Sequence, residues 1–266
     1  MQKFVFPSIF LVCLLSLSVL LGQTPPPPAQ AKAGNRIVLT IQDVEYAFRW
    51  CPSGSFRMGS PQDEAGRNDN ETLHQVKLSG FWMLETEVTQ MMWVSVMGNN
   101  PSNFKGMKQP VEQVAWNDCQ EYIKKLNDLD VAPKGYRFSL PTEAQWEYAC
   151  RAGTTTAYHF GNTLTKEQAN FSGNQTKDVA SYPANAWGLY DMHGNVWEWC
   201  ADRYGDYPSG AVTDPTGAVE GSDRVLRGGH WSYSARDCRS AYRDNYVPSF
   251  RLNGMGLRVS LVSSEK

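Results

Sequence analysis

Arg224-Val225-Leu226-Arg227-Gly228-Gly229-His230-Trp231 opens the stretch that decides how this chain is read. It continues through Cys238-Arg239-Ser240-Ala241-Tyr242-Arg243 to Gly254-Met255-Gly256-Leu257-Arg258-Val259. Upstream stands Gly188-Leu189-Tyr190-Asp191-Met192-His193-Gly194-Asn195-Val196-Trp197-Glu198-Trp199. Four more blocks precede these in order: Phe56-Arg57-Met58-Gly59-Ser60, Glu87-Val88-Thr89-Gln90, Pro110-Val111-Glu112-Gln113-Val114-Ala115-Trp116 and Leu140-Pro141-Thr142-Glu143-Ala144-Gln145-Trp146-Glu147-Tyr148. One such block alone is a weak signal, whereas six in order are hard to obtain by chance.

The ordered blocks resemble the formylglycine-generating enzyme family, also called sulfatase-modifying factors, over nearly everything from about Phe48 onward. The resemblance implies an α+β fold of that family, C-type-lectin-like, with little regular secondary structure and held by calcium. In that family two cysteines in the loop after the Gly-Gly-Ser motif hold Cu(I) and activate oxygen against a substrate cysteine. Thiolates stabilise Cu(I) and hydroxyl or methyl groups do not. Here the matching loop, His230 to Asp237, contains no cysteine, and His230 stands where the family has an active-site serine. Counted without a gap from Gly229, the first catalytic cysteine falls on Tyr233 and the second on Cys238; aligned instead on Ser240-Ala241-Tyr242-Arg243, the loop is several residues short and Cys238 lies past the catalytic pair, so either way at least one thiol is missing.

The 266 residues carry 25 Lys and Arg against 27 Asp and Glu, a formal net charge of -2. That balance leaves no electrostatic footprint for nucleic acid or an anionic membrane surface. No internal repeat or mid-chain linker divides the chain, so one domain with a sizeable core is expected over 35–266. Before it, Lys3 precedes an apolar run from about Phe4 to Leu21, and Ala29, Ala31 and Ala33 follow. Residues 1–23 are read as a signal peptide or anchor, which makes the protein exported: periplasmic, secreted or anchored to the outer side of the membrane. Contact with the membrane is expected only through an uncleaved anchor, since the run is just long enough to span. Pro25 to Pro28 make 24–34 a stiff polyproline spacer.

Local periodicity predicts three helices. Cys119, Tyr122, Ile123 and Leu126 line one face over Trp116 to Asn127. Thr142 and Gln145 form a capping box for a helix that Gly153 ends, with Trp146, Ala149 and Cys150 inward. A short helix is expected from Gln90 to Met97 between Thr89 and Gly98. Ile37, Val38, Leu39 and Ile41 read as a strand, as do Val76 and Leu78 around Lys77. Residues 60–72, 157–186 and 204–222 show no period, and loops that long need anchors, ions or function to hold them.

Calcium takes hard oxygen ligands, and a turn of carboxylates and carbonyls supplies them. By resemblance the side chains of Asp191 and Glu198 with the carbonyls of Gly194 and Val196 ligate one ion, and Asn170 with the carbonyl of Phe171 begins a second site. The plainer reading is that Asp191 and Glu198 cap a turn and pair with Arg224 or Arg227. The resemblance also implies that Trp197 and Trp231 line a ligand groove beside His230, with Arg243 expected as a further anchor there. The fold would also bring Cys200 towards Cys238, either as a disulfide, as two free buried thiols, or as a replacement copper site. Cys51, Cys119 and Cys150 complete an odd set after export. Asn70, Asn170 and Asn174 head glycosylation sequons.

Two functions remain in play at this level. The first is an exported, calcium-stabilised binding or accessory module that takes a peptide or protein ligand and lacks the copper thiol pair. The second is an oxidase that converts the cysteine of a sulfatase Cys-x-Pro-x-Arg segment to formylglycine, with Cys238 and His230 as its catalytic residues in a rearranged copper site.

Overall fold

The first predicted strand forms and turns back on itself at once. In the computed structural model, which describes residues 31–265, β1 (Arg36–Ile41) pairs antiparallel with β2 (Val44–Cys51). Gln42 and Asp43 join them with both φ angles positive, at 49° and 61°, as a two-residue turn matched to strand twist requires. β2 continues to β5 (Phe81–Leu84), then to the last strand, β12 (Ser260–Ser263), and β6 (Tyr136–Ser139), giving the order β1-β2-β5-β12-β6. The beginning and end of the domain therefore share one sheet.

A three-stranded sheet holds β3 (Gly54–Met58), β4 (His74–Leu78) and β8 (Val212–Thr213) in the order β3-β4-β8. β4 alternates buried and exposed residues, as the Val76 and Leu78 pattern requires. The third sheet positions the candidate site. Its order is β10-β9-β7-β11, from β7 (Trp197–Arg203), β9 (Arg224–Arg227), β10 (Arg243–Tyr246) and β11 (Met255–Gly256).

The helices follow their local signals. α1 (Gln90–Met97) begins at Thr89, whose hydroxyl accepts from the Met92 amide, and ends at Gly98 in the left-handed conformation. α2 (Trp116–Asp128) buries Cys119, Tyr122, Ile123 and Leu126 as the spacing predicts. α3 (Glu143–Arg151) carries the Thr142–Gln145 capping box, 3.2 and 2.9 Å. Its end differs by one residue: Ala152 (φ 45°) takes the left-handed cap ahead of Gly153.

α1 and α2 pack on the five-stranded sheet around Phe48, Trp82, Tyr122 and Phe138, while α3 lies against β3, β7 and β9 over Met58, Val76, Trp146 and Val225. A small third cluster joins Ala157, Tyr158, Ala169, Phe171 and Cys238. Of the long aperiodic segments, 204–222 contributes the short strand β8, and 60–72 is held mainly by a buried ion pair. Arg239, 1% exposed, donates to Glu71 at 2.6 and 2.9 Å and to the Gly66 carbonyl at 2.8 Å, which fixes residues 60–72.

The five cysteines of the described residues are free thiols. The Cys200–Cys238 staple does not form. Cys200 belongs to the cluster beneath α3 and Cys238 to the third cluster, so apolar packing separates the two thiols. The signal and most of the spacer lie outside the described residues, and among those described no helix is long and apolar enough to cross a membrane.

Candidate functional site

Two consecutive glycines turn the end of β9 into the loop that carries His230. Gly228 and Gly229 have φ of 97° and 77°, and a Cβ on Gly229 would lie 2.5 Å from the Cys238 sulfur. Only a residue without a side chain fits so close a crossing. Arg227, fully buried, anchors the far end of the loop by donating to the carbonyls of Ser240, Ala241 and Tyr242 and to Glu147 at 2.6 Å. The loop's near side is clamped by Trp231 N–H on the Asn195 carbonyl, 3.0 Å, and by the Gly173 amide on the Trp231 carbonyl, 2.5 Å.

The result is an aromatic bay. The Trp197 ring lies 5.7 Å from Tyr233 and 5.8 Å from Tyr242, and the His230 ring lies 4.4 Å from Tyr233 and 5.4 Å from Trp231. Phe104 meets Trp231 edge-on at 5.4 Å, and the Trp231 N–H donates to the Asn253 carbonyl at 2.9 Å. His230 is 2% exposed. Its Nδ1 accepts the Ser232 amide at 3.3 Å, which leaves the proton on Nε2. Nε2 is buried and has no partner. Burial lowers the ring's pKa to about 4, so the ring is neutral and presents one unsatisfied N–H donor. Glu112 nearby in the chain fold bonds the Phe104 amide at 2.7 Å while its second oxygen is buried without a partner. Burial raises that carboxyl to about 6.

The residues expected to hold calcium divide into two groups. Glu198 does not pair with Arg224 or Arg227. It meets the fork of Arg258, 2.7 Å at the closest, and the Trp146 N–H at 2.7 Å. Arg224 instead covers the Trp116 ring at 3.8 Å. Asp191 accepts the Ala180 amide at 2.6 Å and shares its buried space with Glu87 and Glu198. Burial and then the charge of Asp191 push Glu87 well above the usual carboxylate range, and burial pushes Asp191 to about 6. Glu87 bonds Asn195 through one oxygen at 3.0 Å, and the other has no partner. Three buried carboxyl groups, with Glu87 and Asp191 hydrogen-bonded to each other, thus share one guanidinium, Arg258, the only cation paired with any of them among the described residues. A hard dication would supply positive charge and a partner for Glu87, but Glu198 is already bonded to Arg258 and Trp146, and no group of three His, Cys, Asp or Glu arranged to hold an ion occurs among the described residues.

The second group fits less well. Asn170 donates to the Asn195 side chain at 3.1 Å and to the Gln175 carbonyl at 3.0 Å, and its own carbonyl accepts the Asn195 amide. The Phe171 carbonyl already receives the Lys166 ammonium. Asn170 is also buried, which closes its sequon to a glycan, whereas Asn174 is exposed.

Arg243 is not in the bay. Successive strand residues face opposite ways, so Tyr242 turns to Trp197 while Arg243, the first residue of β10, turns to Glu143 with bonds of 2.8 and 2.7 Å. Cys238 is fully buried, and burial pushes its thiol far above the ordinary range. Sequence reasoning missed Glu87, Asn195, Arg258 and Glu112 as members of either centre. All four stand inside blocks quoted for the family resemblance, but nothing in their spacing says which partner each would meet.

Residues 44–262 match the Sulfatase-modifying factor enzyme 1-like domain. The chain is 41% identical over 236 residues to the serine/threonine-protein kinase pkn1 of Chlamydia caviae, covering 77% of this chain and 36% of that protein. It therefore spans little more than a third of that relative's length. It is 29% identical over 282 residues to the formylglycine-generating enzyme of Streptomyces coelicolor, covering 78% of this chain and 86% of the enzyme. Among solved structures it resembles Treponema denticola variable protein 1, with a TM-score of 0.78 and 32% identity over 85% of this chain and 98% of that one.

Proposed function

Because the chain belongs to the sulfatase-modifying factor family and has its C-type-lectin-like α+β fold, we propose that it is an exported, calcium-stabilised binding or accessory module that does without the family's copper chemistry. The observation that carries this reading is His230. A buried N–H donor left without a partner costs about 1–3 kcal/mol, and this one lies in an aromatic bay whose Trp231 and Tyr233 keep part of their surface exposed. The arrangement suits a peptide or small ligand that lays a flat or apolar surface on the exposed parts of Trp231 and Tyr233 and, once the buried His230 ring is uncovered, offers a carbonyl oxygen to Nε2.

Copper fits poorly here. Under the ungapped count from Gly229, Tyr233 takes the first thiol position, and its phenol is a hard donor. Cys238 is closed off under Gly229, and the Ser232 amide holds the proton of His230 on the nitrogen that would otherwise ligate. Support for export comes from the charged and apolar N-terminal sequence.

The test of the first half is direct. With Cu(I), oxygen, a thiol reductant and a Cys-x-Pro-x-Arg peptide, the chain is expected to yield no aldehyde by mass spectrometry while an active relative does. Aldehyde formation lost in Cys238→Ser would replace the module with the oxidase. For the second half, saturating calcium is expected to raise the thermal midpoint and EGTA to lower it. Ligand at 100 times its dissociation constant contributes about 2.7 kcal/mol. An identical midpoint in both conditions would remove calcium from the proposal.

A further inference from the structure

On another face, a cavity of about 440 Å³ opens between the first turn of α3, the end of β7, the three-stranded sheet and the 205–219 segment. That volume lies within the range of small-molecule sites. Glu143, Asp202, Arg243 and His74 form its floor, each at most 6% exposed. Most of this floor is internally satisfied. The Arg243 fork holds Glu143, the Tyr207 hydroxyl donates to Glu143 at 2.9 Å, and Arg243 also donates to the Gly205 carbonyl at 2.9 Å and the Asn70 carbonyl at 3.3 Å. The Tyr207 ring covers the guanidinium at 3.9 Å and meets the His74 ring at a tilt of 51°, 4.7 Å between centroids. The nearby Arg227 is bound to Glu147.

Asp202 is the exception. It accepts the Glu143 amide at 2.8 Å and has no ion-pair partner among the described residues, although it is 3% exposed and lines the cavity. Burial, and then the Glu143 charge, push its carboxyl to about 8. An unpaired buried carboxyl is costly to keep, and the cations within the floor are already committed.

The geometry points to a binding site for a small primary amine, or the amine tip of a longer ligand, with the ammonium on Asp202 and a short alkyl chain against Met58, Ala144 and Val212. An anion is disfavoured because the floor carries excess negative charge and Arg243 is committed to Glu143. A metal is disfavoured because the Glu143 oxygens are taken by Arg243 and Tyr207 and His74 Nδ1 is bonded to the Thr72 carbonyl at 2.9 Å, which leaves Asp202 as the one uncommitted ligand of this floor.

The probes are n-butylammonium and n-butanol, which share size and chain but differ in charge, followed by amide shifts of the full chain at pH 8. Butylammonium is expected to shift Asp202, Tyr207 and Val212 and to bind at least about tenfold more tightly than butanol, a difference of about 1.4 kcal/mol. In Asp202→Asn that preference should vanish. The same variant is expected to melt above the native chain at pH 8 and close to it at pH 4. A folded-state pKa raised to about 8 makes the native carboxyl cost stability as pH climbs from the ordinary carboxylate range to about 8. Glu143 from α3, His74 from β4, Arg203 from β7, Arg243 from β10, and Asp206 and Tyr207 from the loop are unchanged by the substitution. Equal binding of the two probes, or an ammonium preference that survives Asp202→Asn, would overturn the site. Should the variant fail to fold, the two probes on the native chain decide alone.

Discussion

Arg258→Ala is expected to cost about 3–5 kcal/mol, the range for removing one partner of a buried ion pair, and to leave the domain barely folded. Arg258 is fully buried, donates to Glu198 at 2.7 Å and ties the Leu84 and Tyr190 carbonyls at 3.1 and 2.9 Å. Without it, Glu198, Asp191 and Glu87 share a buried volume with no protein cation paired to any of them. Three strands or loops also lose a common anchor. Arg258→Lys is expected to recover part of the loss, since the charge returns but the planar fork does not. A control measures the difference that burial makes. Arg251 pairs with Asp118 at the same 2.7 Å but is 51% exposed, and Arg251→Ala should cost no more than about 1 kcal/mol. Urea denaturation of the three variants tests this, and equal losses for Arg258→Ala and Arg251→Ala would show that the buried pair has no special weight.

The second large effect is expected at Gly194, where alanine meets both a conformational and a steric obstacle. Its φ is 91°, and an added Cβ would lie 2.3 Å from the Asn170 carbonyl oxygen. That oxygen accepts the Asn195 amide at 2.9 Å, and the Gly194 amide itself donates to the Gly228 carbonyl at 2.7 Å, so neither segment can retreat without breaking a bond. Strained backbone costs about 1–3 kcal/mol and a lost buried bond a further 1–3, which puts Gly194→Ala at about 2–6 kcal/mol. Gly98→Ala separates the two causes. Gly98 also has positive φ, at 79°, but nothing lies within 4 Å of its added Cβ, so the loss there should be near 1 kcal/mol. Because Asn195 also receives the Trp231 amide, the Gly194 variant is expected to disturb the aromatic bay as well. Unchanged Trp231 fluorescence in a fully stable Gly194→Ala chain would contradict this coupling.

Both effects depend on contacts that link distant parts of the chain, and the same division governs what could be read beforehand. Local structure is legible in neighbouring residues alone: the Thr89 and Thr142 caps, the Gly98 stop, the buried face of α2 and the alternation of β4. Each of these is written within a few neighbouring residues, where helical or strand geometry fixes which side chains meet. The family and its fold were legible as well, because six motifs kept their order. It takes the packing of the whole chain to bring Glu198 to Arg258 rather than Arg224 or Arg227, and to set Glu87 beside Asp191 more than a hundred residues away. The same packing decides that Arg243 leaves the bay for Glu143, that Cys200 and Cys238 lie in separate clusters, and that Asp202 faces a cavity without a counter-charge. The physical reason is that a buried charge is placed by whichever oppositely charged group, carbonyl or cavity the packed chain brings to it, and spacing along the sequence carries no record of that choice.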